Sequence, residues 1–209
     1  MNNIHVLGNG VSRKHLDLTI LHKHGYIYGC NALYRDYIPD VLVGLDDKMV
    51  QEFIDNNVYL KTVVYINTDS HYHLKYCREN NIDKNLYFHS LPSGHVNNSG
   101  VCLTMLASLS LIKNNLPNKN IYLHGFDFIG TGLENKQYNN VYENTKNYLT
   151  NNDEPNIYKL QVNQLINVIK SYSDINYIRV VGNDYKINSK LTNYTEINIE
   201  TFNNIYRNN

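Results

Sequence analysis

The stretch IHVLGNGVSR, residues 4–13, is the part of the sequence that decides the fold. A short apolar run ends in Gly8-Asn9-Gly10, and a helix-like segment follows. A strand, a glycine-containing turn and a helix start often bind an anion, because exposed N–H groups and the helix dipole favour negative charge there. The sequence GNGVSR matches neither the G-x-G-x-x-G dinucleotide-binding motif nor a Walker loop. The glycines could equally form only a tight turn with Ser12 as the helix N-cap, so phosphate contact stays an open alternative.

Short apolar runs alternate with helix-like segments through most of the chain. Several runs lack polar alternation, as buried parallel strands do. We therefore predict an α/β fold with a doubly wound, mainly parallel, Rossmann-like sheet and helices on both faces. One domain would span residues 1–182, with residues 183–209 as a polar C-terminal extension. The predicted strands are Ile4–Leu7, Tyr26–Cys30, Val41–Gly44, Thr62–Ile66, Leu86–His89, Ile121–His124 and Tyr177–Val181, and the predicted helices are Arg13–His22, Lys48–Asn56, Tyr72–Asn80, Ser99–Asn115 and Asn156–Ser171.

The composition excludes several classes of function. Lys and Arg total 19, as do Asp and Glu, and this balance argues against a nucleic-acid partner, which would require a basic excess. No apolar run is long enough for a membrane span, so no transmembrane segment is expected. The three cysteines, Cys30, Cys77 and Cys102, form no C-x-x-C pair. This pattern favours a reduced, cytoplasmic protein without a metal site.

Small or polar residues follow most of the predicted strands. In an open parallel sheet, ligands bind outside the carboxyl ends of the strands, so these residues are candidates for one site. Each also has a plainer explanation as a turn residue or helix N-cap. Among the histidines, His95 in SGHVNNSG lies closest to the expected site and is a candidate catalytic or binding residue. The strand-end candidates are Gly8, Asn9, Gly10 and Ser12 after the first strand, Asn31 after the second, Asp46 and Asp47 after the third, Asn98, Ser99 and Gly100 at the start of the long apolar helix, and Asp127 after the sixth strand.

The order of these motifs resembles a known family. GNGVSR, GCNALY, NNSGVCLTMLA and IYLHGFDF resemble the bacterial lipooligosaccharide sialyltransferases. With PDVLVGLDD added, the chain is also similar to a related group, the motility-associated flagellin glycosyltransferases and the archaeal-type 6-hydroxymethylpterin diphosphokinases. The matching stretches lie within roughly residues 4 to 130.

The resemblance implies a Rossmann-like domain that binds a CMP-sugar donor without a metal or other cofactor. Gly8, Asn9 and Gly10 would approach the nucleotide phosphate and ribose, and Asn31 would hydrogen-bond the nucleotide or the sugar. Ser99 and Gly100 would receive the sugar carboxylate or a phosphate at a helix N-terminus. Asp127 would stabilise the site beside the nucleotide. The acceptor would be a carbohydrate or glycolipid, and the family suggests a homo-oligomer.

The sequence departs from the sialyltransferase pattern at three places. Where the family has tyrosines that bind the departing phosphate, this chain has Ile129, and only Tyr138 or Tyr142 could substitute. Where the family has a general-base His, this chain reads TNNDEPNIYKL, leaving Asp153 or Glu154 as candidate bases.

The third departure concerns the residue after the third strand, where the family has Asn and this chain has Asp46-Asp47. An Asp pair would suit Mg²⁺ held against a nucleotide polyphosphate. The sequence thus predicts a sialyltransferase-like glycosyltransferase. A Mg-dependent diphosphokinase-like enzyme and a non-catalytic nucleotide-sugar-binding module are the alternatives.

Overall fold

The structure, a computed structural model, describes residues 3–67, 75, 79, 86–89, 98–115, 119–128, 139–148, 157–182, 186–187 and 190–207. Its centre is one sheet of eight parallel strands in the order β5-β4-β3-β2-β1-β6-β7-β8. The strands are β1 Asn3–Leu7, β2 Tyr26–Cys30, β3 Val41–Gly44, β4 Val63–Asn67, β5 Leu86–His89, β6 Asn120–His124, β7 Asn176–Val181 and β8 Tyr194–Asn198. The described α-helices are α1 Leu18–Leu21, α2 Asp47–Asp55, α3 Ser99–Lys113, α4 Ile157–Ser171 and α5 Ile199–Arg207.

Helices cover both faces of this sheet, as the sequence predicts. Successive strand residues such as Val6 and Leu7 point to opposite faces of the sheet and belong to two separate buried clusters. Helices α3 and α4 supply the cluster on one face. Helices α1, α2 and α5 supply the other. The predicted doubly wound α/β fold is therefore confirmed.

The predicted helix Arg13–His22 is wrong. The chain forms a 3₁₀ turn over Val11–His15 and then the separate short helix α1. The break occurs because the Asp17 carboxylate accepts hydrogen bonds from the N–H groups of Thr19 and Ile20, so that Asp17 starts a new helix. The predicted helix Tyr72–Asn80 lies almost wholly outside the described residues.

The C-terminal region belongs to the same body as the rest of the sheet. Residues 194–207, expected to be part of a polar extension, form β8, which pairs in parallel with β7, and then α5. Phe202 of α5 is buried in the core with Tyr122 of β6. The sequence signal is weak here because β8 is an edge strand whose residues are only half buried or exposed.

The strand order reverses between β1 and β6. From β1 the chain runs through β2, β3, β4 and β5 to one edge, then crosses to β6 on the other side of β1. The helices that follow β1 and β6 pack on opposite faces of the sheet, and a ligand-binding crevice is expected at the carboxyl ends of the strands at such a switch point. No described helix is long and apolar enough to cross a membrane.

Candidate functional site

A cavity of about 290 Å³ lies at this switch point. Its walls come from the loops after β1, β2, β3 and β6, the start of α3, one residue of α4 and the segment 139–148. The described lining residues are Gly8, Asn9, Gly10, Cys30, Asn31, Asp46, Asn98, Ser99, Gly100, Gly125, Phe126, Asp127, Phe128, Asn139, Asn140, Tyr148 and Gln161.

The Gly8-Asn9-Gly10 turn joins two loops and leaves little of its backbone for a ligand. Gly8 N–H donates to the His124 carbonyl at 2.8 Å, and Gly10 N–H donates to the Gly125 carbonyl at 2.9 Å. A Cβ at Gly8 would lie only 2.7 Å from the Gly125 carbonyl oxygen, so the two backbones approach too closely for a side chain. The glycines are thus required by the contact between the β1 and β6 loops.

The next two N–H groups of this turn are also bonded. Val11 N–H donates to Asn139 Oδ1 at 2.8 Å, and Ser12 N–H donates to Asp127 Oδ2 at 3.0 Å. The Ser12 hydroxyl donates to Asp127 Oδ1. The Asp127 carboxylate is buried and satisfied by Ser12, which explains how a charged group is tolerated after a buried strand. Asp127 lines the cavity, but its described hydrogen bonds hold the β1 and β6 loops together.

The start of α3 presents donors that no described residue uses. Asn98 is the N-cap, and its Oδ1 accepts from Val101 N–H at 3.1 Å. Ser99 and Gly100, the first two residues of the helix, line the cavity, and their N–H groups donate to no described acceptor. Because the 15-residue helix also directs its positive dipole end here, this is the strongest anion-binding feature of the described cavity.

Asn31 is held against the same helix start. Its backbone lies in the left-handed region with φ of 52°, a conformation that Asn adopts more readily than most residues. Its Oδ1 accepts from the Ser99 hydroxyl at 3.1 Å. The left-handed turn at the end of β2 therefore brings the Asn31 amide and Ser99 together beside the helix N-terminus.

The two aspartates after β3 have different positions. Both side chains are exposed, but Asp46 borders the cavity and Asp47 is not among the described lining residues. Partial burial at the cavity wall, and then the negative charge of Asp47, raise the pKa of the Asp46 carboxyl. Among the described residues, no group of three or more His, Cys, Asp or Glu side chains could hold a metal ion.

The segment 139–148 folds against the carboxyl edge of the sheet and completes the cavity. Val141 N–H donates to the Asn9 carbonyl at 2.8 Å, and Asn9 Nδ2 donates to the Tyr148 hydroxyl at 3.2 Å. Arg35 further anchors the segment through the Thr145 hydroxyl and the Lys146 carbonyl, both at 2.9 Å. These bonds place Asn139, Asn140 and Tyr148 in the cavity wall.

Tyr142 belongs to this segment but is not among the described residues that line the cavity. Its hydroxyl accepts from Arg13 Nη2 at 2.6 Å and donates to Asp36 Oδ2 at 2.6 Å. Arg13 and Tyr142 are each only 5% exposed, and burial raises the pKa of the Tyr142 hydroxyl. The tyrosine that faces the cavity is Tyr148, which the sequence analysis did not select.

Arg179 supports the β6 loop from behind. This fully buried side chain donates from Nε to the Phe126 carbonyl at 2.8 Å and from Nη2 to the Asp127 carbonyl at 3.2 Å. Its Nη1 pairs with Glu196 of β8 at 2.9 Å. The sequence analysis did not select Arg179. It could have been found as the single charged residue in the apolar run NYIRVV, since a buried charge requires partners.

The cavity wall is rich in amides. Six Asn and Gln side chains line it, at residues 9, 31, 98, 139, 140 and 161, and no Lys, Arg or His stands among its described lining residues. Carboxamides both donate and accept hydrogen bonds without adding charge. The arrangement suits a ligand rich in hydroxyl and amide groups that carries few negative charges.

Of the residues selected from the sequence, nine share this cavity. Ser12, Asp47 and Tyr142 are described but do not line it, and His95, Tyr138, Asp153 and Glu154 lie outside the described residues. The nine are Gly8, Asn9, Gly10, Asn31, Asp46, Asn98, Ser99, Gly100 and Asp127. Comparisons with protein-family models, curated proteins and solved structures find no match to this chain.

Proposed function

We propose that this protein is a glycosyltransferase that binds a CMP-activated sialic or other nonulosonic acid in the amide-lined cavity. The observation that supports this most directly is the start of α3. There, the N–H groups of Ser99 and Gly100, which donate to no described acceptor, lie beside the Asn31–Ser99 pair. A carboxylate or phosphodiester is the natural ligand of such a helix start. The resemblance in sequence implies a sugar carboxylate or a phosphate at the same two residues.

The charge of the cavity favours a CMP-sugar over a nucleoside triphosphate. A CMP-sugar of this class carries one phosphodiester and one carboxylate. A triphosphate carries more negative charge and is usually held by Lys, Arg or Mg²⁺. The described lining contains two aspartates, Asp46 and Asp127, and no such cation.

In the proposed reaction, an acceptor hydroxyl attacks the anomeric carbon of the donor sugar. The glycosidic C–O bond forms as the bond from the anomeric carbon to the phosphate oxygen breaks, and CMP leaves. A general base takes the hydroxyl proton, and the candidates from the sequence remain Asp153, Glu154 and His95. The acceptor is proposed to be a carbohydrate or glycolipid.

Titration calorimetry tests the ligand. We expect CMP to bind without Mg²⁺ and more tightly than CDP, ATP or GTP. Asn31→Ala should weaken CMP binding, with the exposed Asn204→Ala as the matched control. Release of CMP from CMP-sialic acid would then show turnover. Triphosphate binding that appears only with Mg²⁺ contradicts the proposal.

Asp46 gives a specific reason to keep the diphosphokinase-like function as the second candidate. A carboxylate in a nucleotide cavity can hold Mg²⁺ together with substrate phosphates. That function predicts Mg-dependent binding of ATP or GTP that Asp46→Asn abolishes. Metal-independent CMP binding without hydrolysis or transfer of any CMP-sugar would instead support the non-catalytic binding module.

A further inference from the structure

Asp46 occupies a helix N-cap position without capping the helix. Its backbone has the extended conformation usual for an N-cap, with φ −83° and ψ 134°. An Asp at this position normally accepts a hydrogen bond from an N–H group in the first helical turn. The Asp46 side chain makes no such bond, and no described residue donates to it. The exposed Asp46 carboxylate thus accepts no hydrogen bond from the described residues and is open to a ligand at the cavity wall.

The surroundings determine what this carboxylate can accept. Asp47 adds a second negative charge beside it, and the described lining offers no cation. A phosphate or carboxylate of the ligand would be repelled there and would be better placed at the N–H groups of Ser99 and Gly100. Neutral hydrogen-bond donors, by contrast, would be attracted by the carboxylate.

We propose that Asp46 is a specificity-determining residue whose carboxylate binds a pair of adjacent hydroxyl groups of the ligand. This inference rests on the proposed function, since it assigns a contact within the same cavity. Two carboxylate oxygens match a vicinal diol, and each hydrogen bond to the charged oxygen is stronger than one between neutral groups. Asp46 thereby favours a polyhydroxylated ligand and disfavours one that brings an anion to this wall.

A CMP-sugar offers hydroxyl pairs on its ribose and on its sugar, and matched ligands distinguish these sources. CMP and 2′-deoxy-CMP differ only at the ribose. CMP and CMP-sialic acid differ in the sugar. Calorimetry on the wild type and on Asp46→Ala with all three ligands therefore shows whether Asp46 binds a diol and on which ring.

Asp46→Ala should lose roughly tenfold or more in affinity, the usual effect of removing a hydrogen bond to a charged group. If the ribose supplies the diol, the wild type prefers CMP to 2′-deoxy-CMP and the variant does not. If the sugar supplies it, only CMP-sialic acid binding is weakened. Asp55→Ala removes the same charge from the other end of α2 and should leave all three affinities unchanged. Thermal unfolding checks that both variants fold.

Three results would overturn the inference. Unchanged or tighter binding to Asp46→Ala means that no donor reaches the carboxylate, and the proposed function survives because CMP still binds. Binding that needs Mg²⁺ and is lost in the variant means that Asp46 holds a cation. Failure of the wild type to bind CMP or CMP-sialic acid at all overturns the proposed function and this inference together.

Discussion

At the scale of single residues, the contact between the β1 and β6 loops explains why glycine is required at both ends of the Gly8-Asn9-Gly10 motif. Gly10 N–H bonds the carbonyl of Gly125, which itself has a left-handed backbone with φ of 68°. A Cβ at Gly10 would lie 2.5 Å from Asp127 Oδ2 and 2.6 Å from the Gly125 carbonyl oxygen. No side chain fits between these atoms unless the two loops separate.

Gly10→Ala should therefore lower the free energy of unfolding by about 1–3 kcal/mol, the usual cost of overpacking. Gly100→Ala is the matched control. Its Cβ would come no closer than 3.2 Å to Asn98 and Phe126, and Ala has a higher helix propensity than Gly. Urea unfolding of both variants measures the difference. Equal stability of Gly10→Ala and the wild type would contradict the loop-contact explanation.

At the scale of elements, the segment 139–148 depends on a buried polar network. The Tyr142 hydroxyl bonds both Arg13 and Asp36, and the Arg13 guanidinium also lies over the Tyr142 ring at 5.2 Å from its centroid. The ion pair between Arg35 and the buried Glu52 anchors the same segment, since Asn147 donates to Glu52 at 2.6 Å. The cavity wall thus rests on contacts that lie outside the cavity.

Tyr142→Phe should destabilise the protein by about 1–3 kcal/mol, because it leaves the buried Arg13 without that acceptor. Tyr59→Phe removes a hydroxyl bonded to Asn57 at the surface and should change the free energy of unfolding little. Urea unfolding and CMP calorimetry should be measured together. A variant of normal stability with lost CMP affinity would show instead that Tyr142 contacts the ligand, as the resemblance to the sialyltransferases implies.

At the scale of the whole molecule, two buried histidines couple folding to pH. The ring nitrogens His5 Nδ1 and His124 Nε2 lie 3.2 Å apart on neighbouring central strands. Burial, with a smaller effect of His24, lowers the pKa of His5 from 6.5 to about 3. Burial and the nearby His5 and His15 also lower the pKa of His124. Both imidazoles are therefore neutral in the folded protein at neutral pH.

Stability should fall as the pH is lowered from 6.5 towards 3. Across this window the unfolded chain binds protons that the folded protein does not, so acid favours unfolding. The free energy of unfolding should fall by up to about 1.4 kcal/mol per pH unit for each histidine. Urea unfolding at pH 7.5, 6 and 5 measures it. His5→Gln should flatten the slope, with the half-exposed His22→Gln as control, and an unchanged slope in His5→Gln would contradict this origin.

Prediction from the sequence was most successful for buried strands. Tyr26–Cys30 and Val41–Gly44 are observed with the predicted bounds, because strands buried over all but their first residue carry dense apolar runs. The helix Arg13–His22 was wrong, since local capping by Asp17 outweighed the apolar pattern. Tyr148 and Gln161 were missed because each reaches the cavity from an element distant in sequence from the strand-end motifs.

The sequence by itself determined the alternation of strands and helices, the parallel sheet and the concentration of small and polar residues at the strand ends. These features follow from local periodicity and from residue type. Only the tertiary structure decided which donors remain for a ligand. It bonds the N–H groups of Gly8, Gly10, Val11 and Ser12 to β6, to the loop after β6 and to Asn139. It leaves those of Ser99 and Gly100 without a described acceptor. The reason is physical, because hydrogen-bond satisfaction depends on residues more than a hundred positions apart.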